Sequence, residues 1–176
     1  EWFSAELCER DQEAVVNVSR HRNCGKRTTK DAREAAEQHY ERLMLETFRE
    51  CRRVLRDDGV LTVMFTHKKQ EAWESLFESL IKAGFQITAS WPIKTESEHS
   101  LHQARKNAAQ STVILVARKR RPGNALGYFN AEMRQQIQAK ARATAERLKG
   151  EGLNAVDQLV GAFGPAMEVY SRYDEV

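Results

Sequence analysis

The order in which short apolar runs alternate with helical stripes constrains the fold of this chain more than any other feature. Three runs rich in branched and aromatic residues have the length and composition of strands. They are Val60–Phe65, Phe85–Trp91 and Thr112–Ala117. Apolar residues at three- and four-residue steps, typical of helices, precede the first run and also separate the first two. Because a strand–helix–strand unit makes a right-handed crossover, the first two strands are predicted to run parallel in an α/β fold.

Turn and capping residues set the expected limits of these elements. Thr29 or Asp31 is expected to cap the first long helix, and Gly59 to follow its end. The second helix is expected to begin near Gln70 and to stop at Gly84. The continuous apolar character of the first strand predicts cover on both of its faces. The second strand alternates with polar residues and is expected to end at Pro92.

The remainder of the chain is predicted to form a helical extension. The segment RKRRPGN, which begins at Arg118, is expected to be an exposed break, and a long helix is expected from Phe129 to Leu148. The tail is expected to form two short helices divided at Gly164–Pro165. These features divide the chain into three expected segments: a basic, irregular amino-terminal flank at 1–30, an α/β part at 31–121, and a helical extension at 122–176. Three strands form only part of a doubly wound sheet, which leaves one edge and one face uncovered.

Composition excludes several classes of protein. No apolar run exceeds six residues, so no membrane span is expected, and no signal sequence opens the chain. Cys8, Cys24 and Cys51 are too few and too widely spaced for a disulfide scaffold or a zinc ribbon, and they fit the reducing cytoplasm. The net charge is only +3, but residues 18–33 and 94–121 are each strongly basic. Such segments are either solvated loops or contacts to phosphates.

The segment from Tyr40 to Ser97 carries a resemblance to a known family. It resembles the carboxy-terminal half of a class I S-adenosylmethionine-dependent methyltransferase, and more narrowly the adenine-specific DNA methylases that contain a zinc ribbon. The resemblance extends over most of residues 36–173. The matching motifs are Arg52–Leu55, Asp57–Gly59, Met64–Lys68, Glu71–Trp73, Ser90–Ile93, Thr95–Glu96, Thr112–Arg120 and Gly164–Tyr173.

The resemblance implies a partial Rossmann-like methyltransferase sheet with a helical carboxy-terminal tail. The three strands would be the last three of that sheet, and the final one would be antiparallel and inserted between the other two. In the family, the glycine-rich turn for the cofactor and the Asp-Pro-Pro-Tyr catalytic segment both lie upstream. No Asp-Pro-Pro occurs in this chain. The resemblance therefore implies a fragment whose missing amino-terminal half would bind S-adenosylmethionine, so this chain alone is expected neither to bind the cofactor nor to carry catalytic residues.

Candidate site residues follow the two parallel strands. Ligands bind outside the carboxyl ends of the strands in open parallel sheets. Both ends are expected at one edge, and the side chains expected to line the substrate side are Thr66, His67, Lys68, Thr95 and Glu96. His67 is also compatible with a surface imidazole bonded to a neighbouring loop. Trp91, at the end of a strand, is a possible functional aromatic, whereas Trp73 is expected in the core.

The polar loop after the second strand favours phosphate contacts over a metal site. Its cations Arg105 and Lys106, together with Lys94, are expected to bind nucleic-acid phosphates. Glu98, His99 and His102 could be imagined as metal ligands, but a polar loop is the simpler interpretation. No hydrolase triad and no P-loop is visible.

The sequence thus favours part of an S-adenosylmethionine-dependent adenine-N6 DNA methyltransferase, cytoplasmic and acting on DNA. Two alternatives remain at this point: a non-catalytic α/β module that binds nucleic acid or protein, and half of an RNA methyltransferase. The latter shares the fold, because a fold does not fix its substrate.

Overall fold

The computed structural model describes residues 13–23, 28–67, 70–94, 111–121 and 130–173. The elements in chain order are α1 (Val18–Asn23), α2 (Thr29–Val54), β1 (Leu61–Phe65), α3 (Gln70–Lys82), β2 (Phe85–Lys94), β3 (Ser111–Lys119), α4 (Ala131–Gly150) and α5 (Ala155–Tyr170). Two compact units are present, Glu1–Thr47 and Phe48–Val176. No helix within the described ranges combines the length and apolar character needed to cross a bilayer.

The first unit contains the amino-terminal part of α2, which begins at a capping box. The backbone N–H of Asp31 donates to Thr28 Oγ1, and the N–H of Thr28 donates to Asp31 Oδ2, both at 3.2 Å. The cap is therefore Thr28 and not Thr29 or Asp31, because each side chain satisfies a main-chain donor of the other. A short helix, α1, occupies part of the segment that shows no period in the sequence.

The second unit is built on an open three-stranded sheet in the order β1-β3-β2. Both outer strands pair antiparallel with β3, so β1 and β2 run in the same direction on either side of it. The predicted common direction of the first two strands is confirmed. The final strand is antiparallel and lies between them, as the resemblance implies.

Helices α3 and α5 cover one face of the sheet. The Trp73 indole of α3 packs edge-on against Phe65, with ring centroids 4.8 Å apart, and also contacts Phe163 of α5 at 5.8 Å. Beneath these helices lie side chains of β2 and β3 that are at most 1% exposed. They are Phe85, Ile87, Val113, Leu115 and Ala117.

Among the described residues the opposite face is open at β1, which contradicts the expectation that β1 is covered on both sides. Half-buried and exposed residues alternate along β1, and Met64 is 63% exposed. Met64, Ile114 and Trp91 form one row across the sheet, and Trp91 is 52% exposed. Helices α3 and α5 both lie on the face that carries Phe65. The apolar run at Val60–Phe65 is therefore not explained by described elements on both faces of β1.

Helix α5 continues through Pro165, so the predicted division of the tail into two helices is wrong. Proline removes one main-chain hydrogen bond of a helix, but the helix packs closely against β2 and continues. Added Cβ atoms at Gly161 and Gly164 would overlap Leu148 and Ser90 respectively. The two glycines are therefore needed where α5 approaches its neighbours and do not break the helix.

Strands β2 and β3 are longer than predicted. Pro92 pairs with Val113, and β2 continues to Lys94. Among the described strands β2 lies at the edge of the sheet, where proline is tolerated. The predicted break at Arg118 is also wrong at its start, because β3 extends to Lys119 and pairs that residue with Phe85.

A β-bulge lies near the start of β2, and the end of α5 compensates for it. The register with β3 shifts between Ile87 and Ala89. The Ile87 N–H donates to the Ser171 hydroxyl at 2.9 Å, and Ser171 is fully buried. The residue after α5 therefore fixes β2 where its strand pairing is irregular.

Candidate functional site

The carboxyl ends of β1 and β2 meet at one edge of the sheet, with the amino end of β3 between them. The register aligns Phe65, Val113 and Pro92 across the three strands. We call this the carboxyl edge and define it as residues 65–67, 92–94 and 111–113. It brings together the segments that follow the two parallel strands, which is where ligands bind in open sheets of this kind.

Thr66 links two strands at the carboxyl edge. Its hydroxyl donates to Thr112 Oγ1 at 2.8 Å, and both side chains lie on the open face of the sheet. The Thr66 hydroxyl retains acceptor capacity toward a ligand. The sequence alone did not indicate Thr112, because its pairing with Thr66 depends on strand register.

His67 is held from two sides. Its ring stacks on Phe65 with centroids 6.3 Å apart and planes inclined by 22°. Its carbonyl oxygen accepts the Trp73 Nε1–H at 2.8 Å. Trp73 is 1% exposed, as predicted for a core residue, but it also anchors the main chain at this edge. The imidazole is half-buried and has a defined position, which is what a proton-transferring or hydrogen-bonding group requires.

The remaining predicted site residues lie wholly or partly outside the described residues. Lys94 ends β2 and pairs through its backbone with Ser111, but its side chain is not described. The others are Lys68, Thr95, Glu96, Arg105 and Lys106, and the metal-ligand candidates Glu98, His99 and His102. The structure therefore brings together Thr66, His67 and the end of β2, and does not test the rest.

The described part of the carboxyl edge does not fit a cradle for S-adenosylmethionine. Such a cradle needs glycines between a strand and a helix, so that the backbone can approach the ligand. None of residues 65–67 and 92–94 is glycine. Gly150 and Gly152 do have the spacing of a G-x-G motif, but Gly150 ends α4 and Gly152 lies in the turn before α5, so neither follows a strand.

Within the described ranges, no three His, Cys, Asp or Glu side chains converge to hold a metal ion. An open depression of about 420 Å³ lies along the first turns of α4, lined by Asn130, Ala131, Arg134, Gln135 and Gln138. It contains none of the predicted site residues.

Comparison with known proteins adds one finding. A model of the DNA methylase family, the adenine and cytosine N-methyltransferases, matches residues 18–159. The match includes α1 to β3 and the carboxyl edge between them. No curated protein and no solved structure matches the chain.

Proposed function

The chain belongs to the DNA methylase family, and from this premise we propose that it is the distal part of an adenine-N6 DNA methyltransferase. Members of this family normally use S-adenosylmethionine as methyl donor. The reaction would move the methyl group from the sulfonium sulfur of the donor to an exocyclic amino nitrogen of a base in DNA, and that nitrogen would lose one proton. The match over residues 18–159 carries this proposal, because it includes every described strand.

The strand arrangement supports a Rossmann-like methyltransferase sheet. In the resemblance, the last strand is antiparallel and lies between the two strands that precede it. The order β1-β3-β2, with β3 antiparallel to both neighbours, fits this arrangement. The chain would then provide the last three strands and the helices after them.

The open face of the sheet supports a partner that completes the domain, and we propose the amino-terminal half of the same methyltransferase. Met64, Trp91 and Ile93 expose 63%, 52% and 43% of their surfaces there. Large apolar side chains exposed together on one face of a sheet favour cover by further structure. The proposed occupant would also supply the glycine-rich turn and the Asp-Pro-Pro-Tyr segment.

The carboxyl edge would form the substrate side of the completed site. Thr66 and His67 would hydrogen-bond the extruded base or its sugar, because both are fixed at the end of β1. Lys68, Thr95 and Glu96 are proposed to extend the same edge. Lys94, Arg105 and Lys106 are proposed to bind the flanking phosphates, where each cation neutralises one charge.

The first test separates the chain from the complete enzyme. Calorimetric titration of the 176-residue chain with S-adenosylmethionine is expected to show no binding, since the described edge has no glycine cradle. The full-length polypeptide is expected to transfer labelled methyl groups to adenine in duplex DNA, and His67→Ala in it is expected to lower kcat. Saturable binding by the chain alone would contradict the fragment proposal, and cytosine labelling would contradict adenine specificity.

The lack of a cofactor cradle in the described residues also favours a second candidate, a non-catalytic module that binds nucleic acid or protein. This candidate predicts DNA binding by the full-length polypeptide without methyl transfer. Transfer to RNA in preference to DNA would instead support the alternative of an RNA methyltransferase half. A cytoplasmic location, proposed from cysteine usage, suits any of the three.

A further inference from the structure

A basic surface lies at the end of the sheet opposite the carboxyl edge. Here the amino ends of β1 and β2 meet the carboxyl end of β3, since Leu61 pairs with Ala117 and Phe85 with Lys119. We call it the basal patch and define it as Arg52, Arg118, Lys119, Arg120 and Arg121. The nine residues of β3 separate the two ends by roughly 30 Å, at about 3.3 Å per residue.

Main-chain carbonyls orient three arginines of the basal patch. Arg118 Nη1 donates to the Asp58 carbonyl at 2.9 Å, and Arg52 Nε donates to the Gly84 carbonyl at 3.3 Å. Arg120 donates to the Tyr173 carbonyl at 3.0 Å and to the Ile81 carbonyl at 3.3 Å. A carbonyl satisfies a guanidinium donor but does not neutralise its charge. The hydrogen bonds of Arg52 and Arg118 therefore fix two cations in place without themselves neutralising the positive charge.

Gly84 makes this arrangement possible. Its φ is +86°, and an added Cβ would lie 2.8 Å from Arg52 Nε. Its carbonyl accepts both the Arg52 side chain and the backbone N–H of Arg120, the latter at 2.9 Å. The turn between α3 and β2 thus brings the end of α2 and the end of β3 to one point. Cations held this way lose less side-chain freedom on binding a ligand.

Among the described residues, the carboxylates at this end of the molecule only partly offset the positive charge. Asp57 pairs with Lys119 at 3.0 Å, but its own side chain is 98% exposed. Arg56 pairs with Asp58 at 3.2 Å, and both side chains are also largely exposed. Arg118 and Arg121 are exposed and have no carboxylate partner within the described part of the chain. The described side chains at this end therefore keep a net positive charge.

We propose that the basal patch binds the phosphate backbone of duplex DNA. The choice of DNA as the polyanion rests on the proposed function. Arginine forks match phosphate oxygens in geometry and charge, and phosphate contacts position a protein without reading sequence. The patch lies roughly 30 Å from the carboxyl edge along the strands, so its phosphate contacts are separate from those proposed for Lys94, Arg105 and Lys106.

The test measures DNA binding by the 176-residue chain and involves no methyl transfer. The variants are Arg118→Gln with Arg121→Gln, the charge-keeping Arg118→Lys with Arg121→Lys, and the matched control Arg142→Gln with Arg147→Gln on α4. The control arginines are exposed and each pairs with a glutamate four residues later. Fluorescence anisotropy of a labelled duplex across a series of KCl concentrations gives Kd and its salt slope.

The glutamine pair is expected to reduce the salt slope by about 0.9 for each phosphate that is no longer neutralised and to raise Kd on the order of tenfold at low salt. The lysine pair and the control are expected to keep the wild-type slope. Because Arg118 also contacts Asp58, Arg121→Gln alone is measured as well. It is expected to lower the salt slope by about 0.9, the change for one phosphate.

Three outcomes would overturn the proposal: an unchanged slope in the glutamine variants, an equal decrease in the α4 control, or no DNA binding by the chain. A larger slope decrease on an RNA duplex would overturn the assignment to DNA. Failure of the full-length polypeptide to methylate DNA would count against the proposed function and leave this binding result intact.

Discussion

The indole Nε1–H of Trp73 donates to the carbonyl oxygen of His67 at 2.8 Å, which ties α3 to the chain just beyond β1. The same indole packs against Phe65, and the His67 ring stacks on Phe65 as well. One buried aromatic residue therefore fixes both the sheet cover and the position of a candidate substrate-binding histidine. The core and the carboxyl edge are coupled through it.

Substitution of Trp73 by Phe is expected to destabilise the protein by about 1–2 kcal/mol, because one hydrogen bond and part of the ring packing are removed. Trp91→Phe is the matched control, since Trp91 is 52% exposed, and a change within about 0.5 kcal/mol is expected. Urea unfolding followed by circular dichroism measures both. Equal destabilisation would show that the indole hydrogen bond to His67 is not important for stability.

Two serines, one on β2 and one after α5, are expected to respond differently to alanine. Ser171→Ala leaves the Ile87 N–H at the bulge without its acceptor and is expected to cost about 1–3 kcal/mol. Ser90 Oγ is buried and has no hydrogen-bond partner within the described residues. Ser90→Ala is therefore expected to be neutral or slightly stabilising. The unfolding midpoints of the two variants measure this difference. A larger destabilisation by Ser90→Ala than by Ser171→Ala would contradict the hydrogen bond from the Ile87 N–H to Ser171.

The approach of α5 to β2 can be tested at its closest point. Gly164→Ala would place a Cβ against the Ser90 side chain, so α5 must shift, at an expected cost of about 1–3 kcal/mol. Gly150→Ala, at the end of α4, meets nothing within 4 Å, and its better helix propensity is expected to stabilise by up to about 1 kcal/mol. Thermal unfolding measures the pair. A stabilising Gly164→Ala would mean that the helix does not pack this closely.

Turn residues and breaker residues differ in how well they predict this fold. The order of strands and helices follows from local periodicity, and Gly84 stops α3 with the positive φ that its identity suggested. The predictions at Pro165 and Pro92 were wrong, because each proline was interpreted only as a local break. Pro165 lies in a helix that packs against β2, and Pro92 lies in a strand at the edge of the described sheet. The cover of β1 was also mispredicted. An apolar run indicates that a strand needs cover, but it does not identify the element that covers it.

The candidate site was predictable only in outline. Parallel direction places the ends of β1 and β2 at one edge, and this needs only the order of elements. The contacts of Thr66 with Thr112 and of His67 with Trp73 depend on register and on the docking of α3. No spacing in the sequence encodes these.

The pKa of Asp57 lies below its ordinary value because the Lys119 ammonium donates a hydrogen bond to it and attracts its charge. A carboxyl whose pKa is lower in the folded state stabilises that state above the unfolded pKa. This contribution disappears as the pH falls through the folded value. Lys119→Met, which keeps the largely buried stem, is therefore expected to raise the pKa of Asp57 toward the ordinary value of 3.8.

An NMR titration of the Asp57 carboxyl in wild type and Lys119→Met measures this shift. High salt should bring the wild-type titration toward that of the variant, because Asp57 is exposed and its charge is readily screened. An Asp57 titration that is the same in both proteins would rule out Lys119 as the cause. In Asp57→Asn, any decrease in stability at neutral pH should disappear in strong acid.

The open face of the sheet provides the last prediction. Met64→Glu is expected to change the stability of the chain alone by at most about 0.5 kcal/mol, because Met64 is 63% exposed. In the full-length polypeptide, the same carboxylate would be buried against the proposed amino-terminal half without a partner, so soluble yield and methyl transfer should fall sharply. Leu159→Glu is the matched control on α5, where Leu159 is 57% exposed, and it should leave both unchanged. If Met64→Glu were as harmless as this control in the full-length polypeptide, the row through Met64, Ile114 and Trp91 would face solvent there, and the proposed occupant of this face would be wrong.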